Sequence, residues 1–259
     1  MAEDALLVAS GLTMRFGGLV ALDALDLEVR SREVLGLIGP NGSGKTTFFN
    51  VVTGLYNASD GSIAFEGGDI TNLSPQEIYR LGITRTFQRS RLSLSLSVFD
   101  NVWAGNFRNL DQGLIHNLFR RKTLRAEYER AVEQVRALLA TFDAHLADRL
   151  FQPAAALAMI DRRRVEICRA LISEPRLLLL DEPSAGMTHD ETAELMDDIM
   201  QVREKLAPFS IVIIEHEMNV IQRITQRCVV LNYGEKIAEG TYAEITANPD
   251  VQVAYLGQE

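Results

Sequence analysis

A phosphate-binding loop is the first segment of the chain that could do chemistry. Residues 39–46 fit the pattern Gly-x-x-x-x-Gly-Lys-[Ser/Thr] and follow the apolar run Val34–Ile38. The backbone N–H groups of such a glycine-rich turn converge, and the helix that follows adds unpaired donors and a positive dipole end. A polyphosphate fits this arrangement. The sequence therefore predicts a nucleoside-triphosphate site.

The polar residues of this loop have distinct expected contacts. Lys45 would reach the β- and γ-phosphates, the Thr46 hydroxyl would ligate Mg²⁺, and Thr47 would bond the α-phosphate. The predicted phosphate contacts are Asn41, Gly42, Ser43, Gly44, Lys45, Thr46 and Thr47. Because a strand pattern precedes the loop and a helix-compatible stretch follows it, a chance match to the pattern is disfavoured.

Two acidic residues follow a second buried-strand pattern, residues 177–180. An α/β sheet places ligand-contacting groups at the carboxyl ends of its strands. Asp181 would hold the hydration shell of Mg²⁺, and Glu182 would orient and deprotonate the water that attacks the γ-phosphate. Acids after a strand are also common helix N-caps, so this pair gains its catalytic interpretation from the phosphate loop.

A third strand pattern, Ser210–Ile214, is followed by His216, which would contact the γ-phosphate. A structural histidine at a strand end is the alternative. Helical spacing recurs between the strands, most clearly over residues 190–206, where apolar residues repeat every three or four positions. Alternating strands and helices predict an α/β protein with a mostly parallel sheet.

Composition excludes several classes of protein. The 259 residues are 47% hydrophobic and 24% charged, which predicts one globular domain without long disorder. No apolar run approaches the roughly 18 residues that span a bilayer, and the acidic N-terminus does not resemble a secretory signal. The net charge of −9 opposes nucleic-acid binding. Cys168 and Cys228 lack metal-ligand spacing, so we expect buried free thiols.

The order of these motifs resembles that of the nucleotide-binding subunits of ABC transporters, over nearly the whole chain. The resemblance implies a P-loop, RecA-like ABC domain with an N-terminal antiparallel β lobe and an inserted helical lobe. It also implies two further site residues. Gln88, in Thr86-Phe87-Gln88, would contact Mg²⁺ and act in catalysis, beside the groove that receives the membrane partner. Phe16 would stack on adenine, with plain core packing as its alternative.

The expected organisation is a single domain over residues 1–259. Its approximate lobes are a β lobe interleaved with the phosphate-loop core (1–90), a helical lobe (91–171) and a catalytic core with a C-terminal tail (172–259). We expect a hairpin that turns near Tyr233-Gly234. The strand candidates of the β lobe are Leu6–Val8, Leu25–Val29, Ile63–Phe65 and Ile83–Thr86.

Within that superfamily, the chain most resembles the ATPase subunits of branched-chain amino-acid importers. The segments that carry this resemblance are residues 16–22, 84–88, 181–187 and 248–257. Such importers use two different ATPase subunits, and the stretch between Gln88 and Leu157 resembles the one with the longer helical insertion. Residues 107–122 mix apolar and basic side chains before a helical run over residues 123–142. A helical lobe with a solvated basic face and a membrane-surface element both fit this insertion.

The signature motif departs from the family pattern. Most ABC proteins have Leu-Ser-Gly-Gly-Gln, and this branch often has Leu-Ser/Ala-Tyr-Gly-Asp/Gln. This chain has Leu157-Ala158-Met159-Ile160-Asp161. In the family, the serine hydroxyl and the glycine backbone bind the γ-phosphate held by the opposite subunit. An alanine has no hydroxyl, and isoleucine blocks close backbone approach. The next residues, Arg162-Arg163-Arg164, are expected to open a helix, which indicates either a nearby anion or a solvated basic face.

The resemblance implies an ATPase, with ATP and Mg²⁺ as ligands, that powers uptake of branched-chain or related hydrophobic amino acids. Because the signature serves the partner's nucleotide, we expect a heterodimer with a second, non-identical ABC ATPase. Two membrane-spanning permease subunits and an extracytoplasmic solute-binding protein would complete the importer, at the cytoplasmic face of the inner or plasma membrane. The alternatives are an ATP-binding gating subunit, a soluble ABC ATPase without a transport role, and a P-loop kinase.

Overall fold

Apolar runs of the sequence become buried strands in the computed structural model, which describes residues 5–88, 91–109, 121–206 and 208–256. The chain divides into two units. The first contains Met1–Arg85, Arg176–Pro183 and Pro208–Glu259, and the second contains Thr86–Pro175 and Ser184–Ala207. Within the described ranges, no helix combines the length and the hydropathy needed to cross a membrane.

The larger sheet of the first unit has six strands in the order β10-β9-β3-β8-β7-β6. All neighbours pair in parallel except β9 and β10, which form an antiparallel hairpin. All residues of β3, β7 and β8 are buried, as expected for parallel strands covered on both faces. The strands are β3 (Val34–Ile38), β6 (Ile83–Arg85), β7 (Leu177–Asp181), β8 (Ser210–Ile214), β9 (Arg227–Asn232) and β10 (Glu235–Gly240).

A smaller antiparallel sheet has the order β2-β1-β4-β5 and confirms the expected N-terminal β lobe. Its strands are β1 (Ala5–Phe16), β2 (Leu19–Arg30), β4 (Asp60–Phe65) and β5 (Gly68–Asp69). The assignment of Ile83–Thr86 to this lobe is wrong. That segment is β6, which ends at Arg85 and pairs in parallel with β7. A short buried run does not reveal which sheet it joins, because that depends on a distant partner strand.

The β9–β10 hairpin turns at Tyr233 and Gly234, as the sequence predicts. Both residues have left-handed backbones, with φ of 48° and 87°, which suits a two-residue turn between twisted strands. The α-helices in the described ranges are α1 (Lys45–Val52), α2 (Pro75–Leu81), α3 (Val98–Trp103), α4 (Arg121–Phe142), α5 (Ala144–Asp148), α6 (Met159–Leu171), α7 (His189–Lys205), α8 (Met218–Ile224), α9 (Tyr242–Ala247) and α10 (Pro249–Leu256).

The second unit is helical. Helix α4 contacts α3, α5, α6 and α7, and it corresponds to the helical run predicted over residues 123–142. Helix α7 corresponds to the helix predicted over residues 190–206, and a reciprocal Thr188–Glu191 capping box starts it. Helix α7 packs on α4. Residues 184–207 therefore belong to the helical unit, whereas the flanking residues 176–183 and 208–259 belong to the first unit. Residues 110–120, the centre of the predicted amphipathic insertion, lie outside the described ranges.

Both cysteines are buried free thiols, as predicted. Burial raises the pKa of the Cys168 thiol and of the Cys228 thiol. A raised pKa keeps a thiol protonated and therefore a weak nucleophile. The cysteines contribute to packing and not to the chemistry of the site.

Candidate functional site

The phosphate loop connects the end of β3 to the start of α1. Gly39 has φ of 143°, and a Cβ there would lie 2.1 Å from the Leu231 carbonyl oxygen. Gly44 has φ of 108°, and its Cβ would lie 2.7 Å from the Ala21 carbonyl oxygen. Neither position accepts a side chain, because the backbone would have to move. Since Gly44 is the N-cap residue of α1 and has no side chain to cap it, the first amides of α1 face the loop.

Backbone hydrogen bonds hold the loop from outside. The Gly234 N–H, at the tip of the β9–β10 hairpin, donates to the Ser43 carbonyl at 3.0 Å. The Gly234 carbonyl accepts from the Asp23 N–H at 3.0 Å. On the other side of the loop, Phe48 and Phe49 of α1 are completely buried in the core. The loop is therefore fixed between β2, the hairpin and the core.

Lys45 lies inside the curve of the loop. Its Nζ atom donates to the carbonyl oxygens of Gly39 at 2.6 Å and Pro40 at 2.9 Å. Burial lowers the pKa of Lys45, and the carboxylates of Glu182 and Asp181 oppose that shift. Phosphate oxygens could replace these carbonyls as charge-assisted acceptors of the ammonium group.

The carboxyl ends of β3, β8 and β7 lie side by side, so the phosphate loop and both other predicted motifs reach the same edge of the sheet. Asp181 is the last residue of β7 and pairs in register with Ile214 of β8. Its carboxylate is almost completely buried and accepts a hydrogen bond from the Arg85 Nη2 atom at 2.6 Å. Asp181 thus has a defined orientation within this edge.

Glu182 and His216 are in direct contact. Glu182 Oε1 and His216 Nε2 are 2.8 Å apart, and the glutamate N–H donates to the Ile214 carbonyl at 2.9 Å. Glu182 has a left-handed backbone with φ of 47°, which is rare for a residue with a side chain. Strain of this kind is typical of functional positions that the surrounding structure holds in place. Two residues 34 positions apart in sequence thus form one acid–imidazole pair.

Phe16 lies at the end of β1 and is 42% exposed, so its side chain is not part of the core. Its ring contacts Tyr56 edge to face, with centroids 5.3 Å apart. The Tyr56 N–H donates to the Asn50 carbonyl of α1. An exposed aromatic face tied to the helix of the phosphate loop is suited to stacking on a nucleobase.

The remaining predicted residues belong to the second unit. Gln88 is exposed, and its carbonyl oxygen accepts from the Arg163 Nη2 atom at 3.0 Å. In the signature segment, Leu157 is buried and Met159 is 51% exposed. Ala158 is the N-cap residue of α6 and supplies no side-chain oxygen to the first amides of the helix. Helix α6 thus begins without a side-chain cap.

The arginines after the signature do not open the helix, because α6 begins at Met159. Arg163 and Arg164 are buried, so a solvated basic face is wrong for both. Arg163 pairs with Glu166 at 2.8 Å. The Arg164 guanidinium pairs at 2.5–3.1 Å with the carboxylates of Glu194, Asp198 and Asp161. The anions that accompany these arginines are therefore side chains of the same unit.

Charge pairing outweighs burial at Arg164. Burial lowers the pKa of Arg164, but hydrogen bonds to Asp198 and Glu194 more than offset it and raise the pKa. Asp161, the last residue of the signature segment, also pairs with Arg149 at 3.4 Å. The start of α6 is thus held by an ion network although its cap is missing.

One buried group at the sheet edge was not among the predicted site residues. Arg85, the last residue of β6, connects Asp181 to Asn50 of α1. In the sequence, the feature that points to this residue is a positively charged side chain at the end of the buried segment Ile83-Thr84-Arg85. Its partners could not be identified there, because they lie 35 and 96 residues away.

Comparison with protein families gives two matches. A family model described as ABC transporter matches residues 22–185, and one described as branched-chain amino acid ATP-binding cassette transporter matches residues 235–259. The chain is 40% identical over 253 residues to the high-affinity branched-chain amino acid transport ATP-binding protein LivG of Salmonella typhimurium, with 98% of each chain covered. BraF of Pseudomonas aeruginosa, which has the same description, is 38% identical over 253 residues and 98% of each chain.

Two solved structures have a similar fold. A nucleotide-free ATP-binding cassette from an ABC transporter aligns with a TM-score of 0.83 and 30% identity, covering 98% of this chain and 100% of the other. The ADP conformation of an ATP-binding cassette of an ABC transporter aligns with a TM-score of 0.84 and 30% identity, covering 98% and 99%.

Proposed function

We propose, on the basis that this chain belongs to the ABC transporter family of ATP-binding proteins, that it powers an importer of branched-chain or related hydrophobic amino acids. As a member of that family it binds nucleotide and hydrolyses ATP. The cargo class is supported by the names of the relatives and by the match at residues 235–259. The observation that carries the hydrolytic role is the Glu182–His216 contact of 2.8 Å beside the phosphate loop.

ATP would bind along the phosphate loop of the first unit. The amides of residues 41–47 would donate to the β- and α-phosphates, with Thr47 at the α-phosphate. Lys45 would exchange its two carbonyl acceptors for oxygens of the β- and γ-phosphates. Phe16 would stack on the adenine ring with its exposed face.

Mg²⁺ is the cation that these donors suit. Thr46 and Asp181, both in the first unit, offer a hydroxyl and a carboxylate, and we assign them to the metal. No group of three or more His, Cys, Asp or Glu side chains within the described ranges forms a metal site. Mg²⁺ commonly binds through one or two protein oxygens together with the substrate phosphates. When bound, Mg²⁺ neutralises charge that develops on the phosphate oxygens.

Hydrolysis would proceed by attack of water in line with the bond between the γ-phosphorus and the bridging oxygen. Glu182 orients the water and accepts its proton as the new P–O bond forms. The bridging bond breaks, and ADP and phosphate leave. His216 contacts the γ-phosphate and, through its hydrogen bond, fixes the direction of the Glu182 carboxylate.

The signature segment supports an asymmetric pairing of two ATPase subunits. Ala158 has no hydroxyl and Ile160 carries a branched side chain, so this segment is a poor donor to a nucleotide held by a partner. The chain's own nucleotide draws on Lys45, Asp181 and Glu182 instead. We therefore infer a heterodimer in which a different ABC ATPase supplies the signature for this chain's ATP.

Such a heterodimer would drive two membrane-spanning permease subunits, with an extracytoplasmic solute-binding protein delivering the cargo. The chain would lie peripherally on the cytoplasmic face of the inner or plasma membrane. Nucleic acid is not an expected partner, because the net charge of −9 repels the phosphate backbone.

The test is to isolate the chain with its co-purifying subunits and to reconstitute them in proteoliposomes. Uptake of labelled leucine, isoleucine or valine that requires ATP and the binding protein supports the proposal. ATP hydrolysis without any uptake of these amino acids contradicts the cargo class.

A gating subunit with little hydrolysis is the second candidate function, favoured by Ala158 and Ile160. It predicts that ATP turnover of the complex survives Glu182→Gln in this chain.

A further inference from the structure

We propose that Arg85 is a positioning residue that sets the relative placement of the magnesium ligands Asp181 and Thr46. The proposal rests on the function proposed above and adds a residue to its site. Arg85 would act through the groups that it holds, the carboxylate of Asp181 and the side chain of Asn50.

The first anchor of Arg85 is the carboxylate of Asp181. The two residues end adjacent parallel strands, β6 and β7, and their side chains are 4% and 3% exposed. Arg85 Nη2 donates to Asp181 Oδ2 at 2.6 Å, which is a short charge-assisted hydrogen bond. This bond restricts rotation of the carboxylate about its Cβ–Cγ bond. The other oxygen of the Asp181 carboxylate is thereby held in a fixed direction.

The second anchor is on the helix of the phosphate loop. Arg85 Nη1 donates to Asn50 Oδ1 at 2.7 Å, and the guanidinium lies 5.3 Å from the centroid of the Phe49 ring. Asn50 follows Thr46 by four residues in α1, and side chains at that spacing lie on one face of a helix. The planar fork of Arg85 therefore connects the strand end that carries Asp181 with the helix that carries Thr46.

Stability alone does not account for this arrangement. Taking a guanidinium and a carboxylate out of water carries a desolvation cost that their attraction does not generally exceed, and apolar residues of similar volume serve a core as well. Outer partners that orient metal-binding carboxylates, in contrast, typically change metal affinity 10–100-fold when they are mutated. The geometry points to a role for Arg85 in orienting the carboxylate of Asp181 for the metal.

The experiment measures magnesium dependence in the full chain. Binding of a fluorescent ATP analogue is titrated first in EDTA and then with increasing Mg²⁺, and the half-saturating Mg²⁺ concentration is compared between variants. Arg85→Lys keeps the positive charge, but an ammonium group reaches only one of the two acceptors, Asp181 Oδ2 or Asn50 Oδ1. We expect it to raise the half-saturating concentration about tenfold, with affinity in EDTA unchanged. Asn50→Ala, which removes one anchor and leaves the ion pair, should give a smaller rise.

Arg176→Gln is the matched control, because this arginine of the same unit forms a half-exposed ion pair with Glu66. It should leave the half-saturating concentration unchanged. Thermal unfolding is measured for each variant, and if Arg85→Lys does not fold, Asn50→Ala decides. Folded variants with the wild-type half-saturating concentration overturn the role of Arg85. A wild-type chain whose nucleotide binding ignores Mg²⁺ would instead contradict the proposed function.

Discussion

The phosphate loop of the first unit fits its motif fully, whereas the signature segment of the second unit does not fit the pattern of most ABC proteins. In the loop, the residue types that the pattern requires are also required by the surrounding backbone, since Gly39 and Gly44 have no room for a Cβ. In the signature, Ala158 and Met159 are exposed, and Ala158 gives α6 no side-chain cap. The residue types of the loop are therefore constrained by the chain's own backbone, whereas those of the exposed signature positions are not constrained by it in the same way.

The two ends of the signature segment are held by the scaffold beneath it. Leu157 is buried, and Asp161 takes part in ion pairs with Arg149 and Arg164. Helix α6 therefore starts at a fixed place although its N-cap side chain is missing.

The largest expected effects are in the first region. Glu182→Gln, which removes the proposed general base, should lower ATP turnover of the reconstituted complex by about 10²–10⁴-fold, with ATP binding retained. Lys45→Ala should remove most ATP binding, because the charge that holds the phosphates is lost. Equilibrium binding and steady-state hydrolysis separate the two. Equal losses of binding in both variants would contradict this division of roles.

The scaffold of the second region is tested by Arg164→Met. This substitution leaves the carboxylates of Asp161, Asp198 and Glu194 without their shared cation, and the Arg164 side chain is only 6% exposed. We expect the free energy of unfolding to fall by about 3–5 kcal/mol in chemical denaturation. Arg162→Met, on the same helix, removes a hydrogen bond to the Ala155 carbonyl and should cost less. If Arg164→Met and Arg162→Met lower the free energy of unfolding by similar amounts, the ion network adds no more stability than a single hydrogen bond.

The asymmetry between the regions is tested by repairing the signature. Ala158→Ser with Ile160→Gly restores a hydroxyl and a close backbone approach, and turnover of the heterodimer should rise. Loss of one donor in a comparable oxyanion site costs about 2.7–4 kcal/mol, which bounds the gain from above. Because a repaired signature acts on the partner's nucleotide, the gain should vanish when the partner's catalytic acid is removed. A gain that persists without that acid contradicts the asymmetric pairing.

A control separates chemistry from stability in this repair. Ala158→Ser alone gives α6 an N-cap side chain and should raise the free energy of unfolding by about 0.5–2 kcal/mol.

Glu182→Gln in this chain should also lower turnover more than the equivalent change in the partner. Equal effects of the two acid substitutions would indicate two equivalent sites.

The smallest expected effect on ATP binding concerns the adenine contact. Phe16→Ala should weaken ATP binding by about 1–3 kcal/mol, the scale of aromatic stacking on a base, and leave inorganic triphosphate binding unchanged. Tyr56→Phe keeps the neighbouring ring and is the control. Competition titrations with the two ligands measure the difference. Identical losses for ATP and triphosphate would make Phe16 a structural residue.

Local sequence determined much of this protein. The phosphate loop, the two acids at the end of β7 and the β9–β10 turn each depend on residues adjacent in the chain, whose backbone preferences fix their conformation. The α/β class, the antiparallel N-terminal lobe and the family follow from the order of such segments and are confirmed. The catalytic, nucleotide and metal roles of individual residues stay predictions for the experiments above.

Tertiary structure alone decided which distant residues meet. The contact of Glu182 with His216, the bridge from Arg85 to Asp181 and Asn50, and the sheet that β6 joins all depend on which strands are neighbours. The burial of Arg163 and Arg164 likewise depends on carboxylates elsewhere in the chain. Backbone preference acts over a few residues, whereas charge pairing and strand order are set by the packing of the whole core.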